Sequence, residues 1–200
     1  MSILGVVMAG GRNTRYGGLK AFEYVGGQLI IDRVKGALAR VADDIVVIAN
    51  DPAAYERLGL PLRPDAVEGA GPLGGLLTAL RWAEEMEYPA AVIVACDMPF
   101  VTGAMLQDMV AMASRENVEV VIPESGGPRG LEPLCAYYST LCIGPIEHAI
   151  ARGDHRMIGF HELVRVARFE PDGDPSVLFL NVNTPADLET ARGVAARWRE

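Results

Sequence analysis

Four short runs, residues 3–9, 45–49, 90–95 and 118–122, are almost wholly apolar. Continuous rather than alternating hydrophobicity suits strands buried on both faces. Between them apolar residues recur at helical spacing: Ile30, Val34, Leu38 and Val41; then Leu73, Leu76, Leu77 and Leu80; then Met105, Met109 and Met112. The methionine stripe reads as core filling rather than a cofactor box. Strand and helix therefore alternate. This predicts an α/β fold, a single domain over 1–200, with a mostly parallel twisted sheet and helices on both faces. Residues 126–154 are less regular. A further strand is expected at 134–138, set apart from the main sheet, with late strands at 164–169 and 177–180. Thr184-Pro185-Ala186-Asp187 supplies a capping residue, a proline at the first helical position and a carboxylate three residues after the cap. The helix it opens carries Leu188, Ala191, Ala195 and Trp198 on one side.

Composition narrows the function classes. Two hundred residues, 50% hydrophobic and 22% charged, suffice for a full core. The net charge of −8 argues against DNA or RNA, which demand a basic face. It leaves room for a nucleotide, which needs only a local basic pocket. No apolar stretch approaches the ~20 residues of a membrane span. Only Met1-Ser2 precede the first strand, so no secretory leader and a cytoplasmic location are expected. Cys96, Cys135 and Cys142 are odd in number and lack CxxC spacing, which favours neither disulfides nor zinc. His148, His155 and His161 lack metal-ligand spacing and read as surface or helix-end residues.

In open sheets, ligands sit beyond the carboxyl ends of the strands. Three polar features follow strands here: a glycine-rich basic turn from Met8 to Lys20, then Asn50, then Asp97. The turn holds Gly10, Gly11, Gly17 and Gly18 with Arg12, Arg15 and Lys20. Glycines let several N–H groups converge on one anion, and the cations suit a polyphosphate. The spacing is neither a Walker loop nor a GxGxxG fingerprint. A plain flexible connector is the alternative; three cations at a strand end favour phosphate. Arg15 and Lys20 are the expected phosphate contacts, with Arg12 a solvated charge.

Two readings stand for Asp97: an oxygen ligand for Mg²⁺, or a cap for the next helix. A nearby phosphate loop needs a counter-cation, which favours the metal. Cys96 has no base placed to activate it and reads as a small buried residue. The second glycine-rich stretch, Asp65 to Gly75, opens the Leu73–Leu80 pattern. Gly71 and Pro72 would let a helix start near a ligand, or simply start a helix. Asn181 and Asn183 fall on one side of an extended segment, either capping backbone or facing a ligand.

In order along the chain stand Met8-Ala9-Gly10-Gly11 with Arg15, Gly17 and Lys20; Asp65; Gly71-Pro72-Leu73-Gly74-Gly75; Cys96-Asp97-Met98-Pro99-Phe100; Glu132-Pro133-Leu134; and Asn181-Val182-Asn183-Thr184-Pro185-Ala186-Asp187-Leu188. With this ordered set the chain resembles the molybdenum cofactor guanylyltransferases of the nucleotidyltransferase superfamily. The resemblance implies a Rossmann-like nucleotidyltransferase fold. It also implies transfer of GMP from GTP, with Mg²⁺, to the terminal phosphate of molybdopterin, releasing pyrophosphate. Under it Met8, Ala9, Gly10 and Gly11 line the guanine and ribose end. Lys20 and Arg15 hold the triphosphate, and Asn50, Asp65 and Gly71 belong to the nucleotide site. Asp97 holds the metal, Arg15, Lys20 and Asp97 are catalytic, and Asn181 and Asn183 face molybdopterin. Met8 replaces the family's usual leucine and keeps an apolar contact. Guanine rather than cytosine follows from Ala9-Gly10-Gly11, where cytidylyl relatives carry a second alanine; the extra glycine lets backbone approach a purine. Transient contact with molybdenum-insertion proteins and molybdoenzyme chaperones is also implied. Two rival readings remain: a nucleotidyltransferase using CTP or another acceptor such as a sugar phosphate, and a non-catalytic nucleotide-binding regulatory module. Lys20 and Asp97 together speak against the second.

Overall fold

In the computed structural model, which describes residues 1–9, 19–67, 69–125 and 130–197, all four apolar runs become strands. The chain runs β1 (Leu4–Met8), a 3-10 turn Lys20–Phe22, β2 (Tyr24–Val25), β3 (Gln28–Leu29) and α1 (Ile30–Leu38). It continues with β4 (Asp44–Ile48), a 3-10 segment Pro52–Leu58, β5 (Leu62–Arg63), α2 (Gly71–Glu85), β6 (Ala90–Ala95) and α3 (Gly103–Glu116). Then follow β7 (Val120–Pro123), β8 (Cys135–Ser139), α4 (Ile143–Ala151), β9 (Val166–Phe169), α5 (Pro175–Leu178) and α6 (Pro185–Ala195). Gly10, Gly11, Arg12, Arg15, Gly17, Gly18 and Trp198 lie outside the described residues.

One seven-stranded sheet has the order β5-β4-β1-β6-β8-β7-β9. The pairs β4–β5, β1–β4, β1–β6 and β7–β9 are parallel; β8 is antiparallel to both β6 and β7. Helices α1 and α3 pack together, α2 and α4 pack together, and these two pairs flank the sheet. The mostly parallel α/β expectation is therefore met. β1 and β6 are buried at every position, as continuous apolar runs require when both faces are covered. Among the described residues no helix is long and apolar enough to cross a membrane.

Two expectations need correction. The strand near 134–138 is not set apart: β8 inserts into the main sheet, and Cys135, Ala136, Tyr137 and Tyr138 are all buried there. Its unbroken burial is what a strand flanked by two neighbours and two helical layers needs. Residues 177–180 do not form a strand. Asp174 accepts hydrogen bonds from the Ser176 backbone N–H (2.9 Å) and hydroxyl (2.7 Å), Pro175 follows it, and a single helical turn results. A capped Asp-Pro start outweighs the β preference of Val177. His148 and His155 are exposed and His161 stands at the end of a short 3-10 helix, His161–Leu163, as expected; there it is half-buried, edge-on to Phe160 at 4.9 Å, and burial lowers its pKa to about 4.

A feature absent from the hydrophobic pattern is the β2–β3 hairpin. Gly26 and Gly27 both adopt left-handed backbone (φ 60° and 81°), which a two-residue hairpin turn demands. The predicted capping box at α6 is present: Thr184 accepts from the Asp187 N–H and Asp187 accepts from the Thr184 N–H. Val25, Ile30, Phe100, Val182, Leu188 and Ala191 form a second small core, which seats α6 on the hairpin. Arg192 reinforces it by donating to the Tyr24 carbonyl (3.2 Å).

Candidate active site

Strand register decides which residues meet. Met8 pairs with Ile48 on one side and Ala95 on the other, so Ala9, Asn50 and Asp97 emerge at one edge of the sheet. The ladder continues past the strand ends: Ala9 N–H donates to Ile48 O (2.8 Å) and Cys96 N–H to Met8 O (3.0 Å). β5 ends opposite Ile48 and delivers Asp65 to the same edge.

Asp97 does not cap a helix. Thr102 caps α3, accepting from the Met105 N–H at 3.2 Å. The Asp97 carboxylate instead accepts from Lys20 Nζ at 2.5 Å. Lys20 Nζ also donates to Asn183 Oδ1 at 2.6 Å. The three residues are far apart in sequence and come from three different loops. The Asn183 loop is fastened by Val182, whose N–H donates to Asp97 O (2.9 Å) and whose side chain is fully buried in the second core. Alternation about Val182 then turns Asn183 toward Lys20. The side chains of Lys20 and Asp97 are only 15% and 12% exposed, so the pair acts at low local dielectric.

Asp65 is fixed against α2. Its Oδ1 accepts from the Val67 N–H (2.9 Å) and the Thr78 hydroxyl (3.1 Å). Two glycines of α2 make this approach possible: a Cβ on Gly74 would lie 2.8 Å from Val67 O and 3.1 Å from Asp65 Oδ2. A Cβ on Gly75 would lie 2.5 Å from Met8 Cε, so Met8 and Asp65 share one face of α2. Gly71 needs its glycine for a different reason, a left-handed φ of 59° at the start of the helix. Gly74→Ala is expected to destabilise the fold by about 1–3 kcal/mol, because backbone must shift to admit the methyl. Urea unfolding checks this; an unchanged midpoint would show that the loop yields freely.

A family model described as the MobA-like NTP transferase domain matches residues 5–168. The chain belongs to this family. Among its relatives, a protein named "Probable molybdenum cofactor guanylyltransferase" from Pelotomaculum thermopropionicum is 38% identical over 200 residues, covering 98% of this chain and 94% of that one. A molybdenum cofactor guanylyltransferase from Desulfosudis oleivorans is 34% identical over 196 residues, covering 95% and 94%. In fold, the chain resembles the crystal structure of molybdopterin-guanine dinucleotide biosynthesis protein A from Archaeoglobus fulgidus. The TM-score is 0.77 at 24% identity, with 98% and 100% of the two chains covered.

In this MobA-like domain the sequence-derived candidates separate into groups. Lys20, Asp97 and Asn183 converge, and Met8 and Asp65 meet on α2. Asn50 is exposed at the same edge. Asn181 turns its amide to the Phe179 carbonyl (3.0 Å), which is the backbone role among the two readings open for it. Gly10, Gly11 and Arg15 lie outside the described residues. Cys96 is buried as expected, and burial together with the neighbouring Asp97 carboxylate pushes its thiol up to about 12. It stays protonated and is no nucleophile. Sequence reasoning did not single out Thr78, which holds Asp65 from inside α2. A hydroxyl one turn after Gly74, within an otherwise apolar helical stretch, was the available signal.

Proposed function

We propose that this protein transfers GMP from GTP to the terminal phosphate of molybdopterin, forming molybdopterin guanine dinucleotide. The observation that carries the reading is the junction of Lys20, Asp97 and Asn183 at the carboxyl edge of the sheet, with distances of 2.5 and 2.6 Å. Lys20 bridges two oxygens from separate loops there, one of them a carboxylate. Oxygen donors of this kind fit Mg²⁺, which takes one or two protein carboxylates and completes its shell with phosphate oxygens and water. Asp97 would hold the ion beside Lys20, and when bound it supplies charge neutralisation on the triphosphate.

The rest follows from charge. An acceptor phosphate oxygen, ionised at neutral pH, attacks the α-phosphorus of GTP and forms the new P–O bond. The bond to the β-phosphate oxygen breaks, and pyrophosphate leaves with the electron pair. No general base is needed. The protein has to hold two anions together and stabilise charge building on the leaving group. Lys20 and Arg15 serve that purpose, and Met8, Ala9, Gly10, Gly11, Asn50, Asp65 and Gly71 hold the nucleoside end.

The deciding assay measures pyrophosphate release with molybdopterin, Mg²⁺ and each of the four nucleoside triphosphates. Release with GTP alone is expected, with GTP and not CTP raising the melting temperature. Release with CTP in place of GTP overturns the guanylyl assignment. No release with any of the four would favour a regulatory nucleotide-binding role.

A further inference from the structure

We propose that Phe22, packed against Arg57 and Tyr55, is a positioning residue for Lys20. Phe22 closes the 3-10 turn that Lys20 opens. Two backbone bonds stiffen that turn, Phe22 N–H to Leu19 O and Glu23 N–H to Lys20 O, each 3.0 Å. The orientation of the Phe22 ring therefore fixes the backbone from which the Lys20 side chain departs. The Arg57 guanidinium lies over the ring, 3.3 Å from its centroid, and the Tyr55 ring lies 5.5 Å away, tilted by 37°.

Arg57 and Tyr55 belong to one short segment, Pro52–Leu58, which begins at a proline and ends at Gly59 with a left-handed φ of 64°. Tyr55 is 3% exposed and lies in the same buried core as Cys96, next to Asp97. One segment thus packs on the residue two after Lys20 and enters the core that holds the residue immediately before Asp97. It sets the two halves of the charged site against each other. A lysine has four rotatable bonds, so its ammonium finds a triphosphate reliably only if the backbone is held; small misplacements cost large factors in rate. Arg57 itself is exposed, where a cation–ring stack adds little to global stability. Its effect should therefore appear in binding rather than in melting.

The proposal rests on the nucleotidyltransferase reading, in which Lys20 meets the triphosphate. Its test is a double-mutant cycle on the full chain, read by calorimetric titration with Mg²⁺–GTP, by KM and kcat, and by thermal melting. Arg57→Ala and Phe22→Leu are each expected to weaken GTP binding about five- to tenfold, raising KM more than they lower kcat. The Arg57→Ala melting temperature should stay near that of the parent. In a Lys20→Ala background, Arg57→Ala should cost nothing further, because it acts only through Lys20. Parent-like GTP affinity in Arg57→Ala overturns the proposal. So does an equal loss in both backgrounds, which would make Arg57 an independent phosphate contact. If Lys20→Ala itself binds and turns over GTP normally, the functional assignment falls as well; a Lys20→Ala loss without an Arg57→Ala loss removes the clamp alone.

Discussion

Asp97→Ala is expected to lower guanylyl transfer by about a hundredfold or more, the scale of losing one preorganised electrostatic group. The structure makes this substitution a clean one. What fastens the Asn183 loop is the Asp97 carbonyl, which accepts from Val182 N–H at 2.9 Å, and alanine keeps that carbonyl. The helix cap is kept too, because Thr102 provides it. Only the carboxylate is lost. Lys20 retains its bond to Asn183 and, at 15% side-chain exposure, can reach water, so the unpaired ammonium is less costly than one sealed in the core. Melting of the purified variant should therefore change little while turnover collapses. Asp97→Asn, which keeps the shape and removes the charge, should behave alike in turnover and lose Mn²⁺ binding in a titration without acceptor. Near-parent turnover in folded Asp97→Ala would falsify the role given to the carboxylate.

Strand placement was legible because β1, β4, β6 and β7 lie in almost wholly apolar runs, which suit burial on both faces. The direction of the site was legible for the same reason: parallel strands joined by helices put Met8, Asn50 and Asp97 at one edge regardless of loop detail. What escaped was anything decided by partners distant in sequence. Cys135 to Tyr138 carries no mark of its neighbours, so its insertion between β6 and β7 could not be read locally. Asp174-Pro175 held a helix start, but the apolar residues 177–180 dominated the reading. The two meanings of Asp97 could be separated only by finding Thr102 at the cap and Lys20 at the carboxylate. Asn181 and Asn183 are equivalent in sequence and different in space, because only Asn183 lies within reach of an ammonium 163 positions away.

Those two bonds also determine what Lys20 can be exchanged for. Lys20→Ala is expected to lower turnover on the order of a hundredfold, with most of the loss in GTP binding. The sharper expectation concerns Lys20→Arg, which keeps the charge and should recover little of that loss. An ammonium is a compact point charge with three donors. Asp97 and Asn183 take two of them at 2.5 and 2.6 Å, and the third can turn to a triphosphate oxygen. A guanidinium is a wide planar fork whose donors cannot converge on the single point, 2.5 and 2.6 Å from the two acceptors, that the ammonium occupies. It would leave either Asp97 or the phosphate unmet. Titration of GTP into both variants, with kcat at saturating nucleotide, separates the outcomes. Full recovery in Lys20→Arg would mean that net charge at the sheet edge is sufficient, and the three-way geometry of Lys20, Asp97 and Asn183 would lose its catalytic meaning.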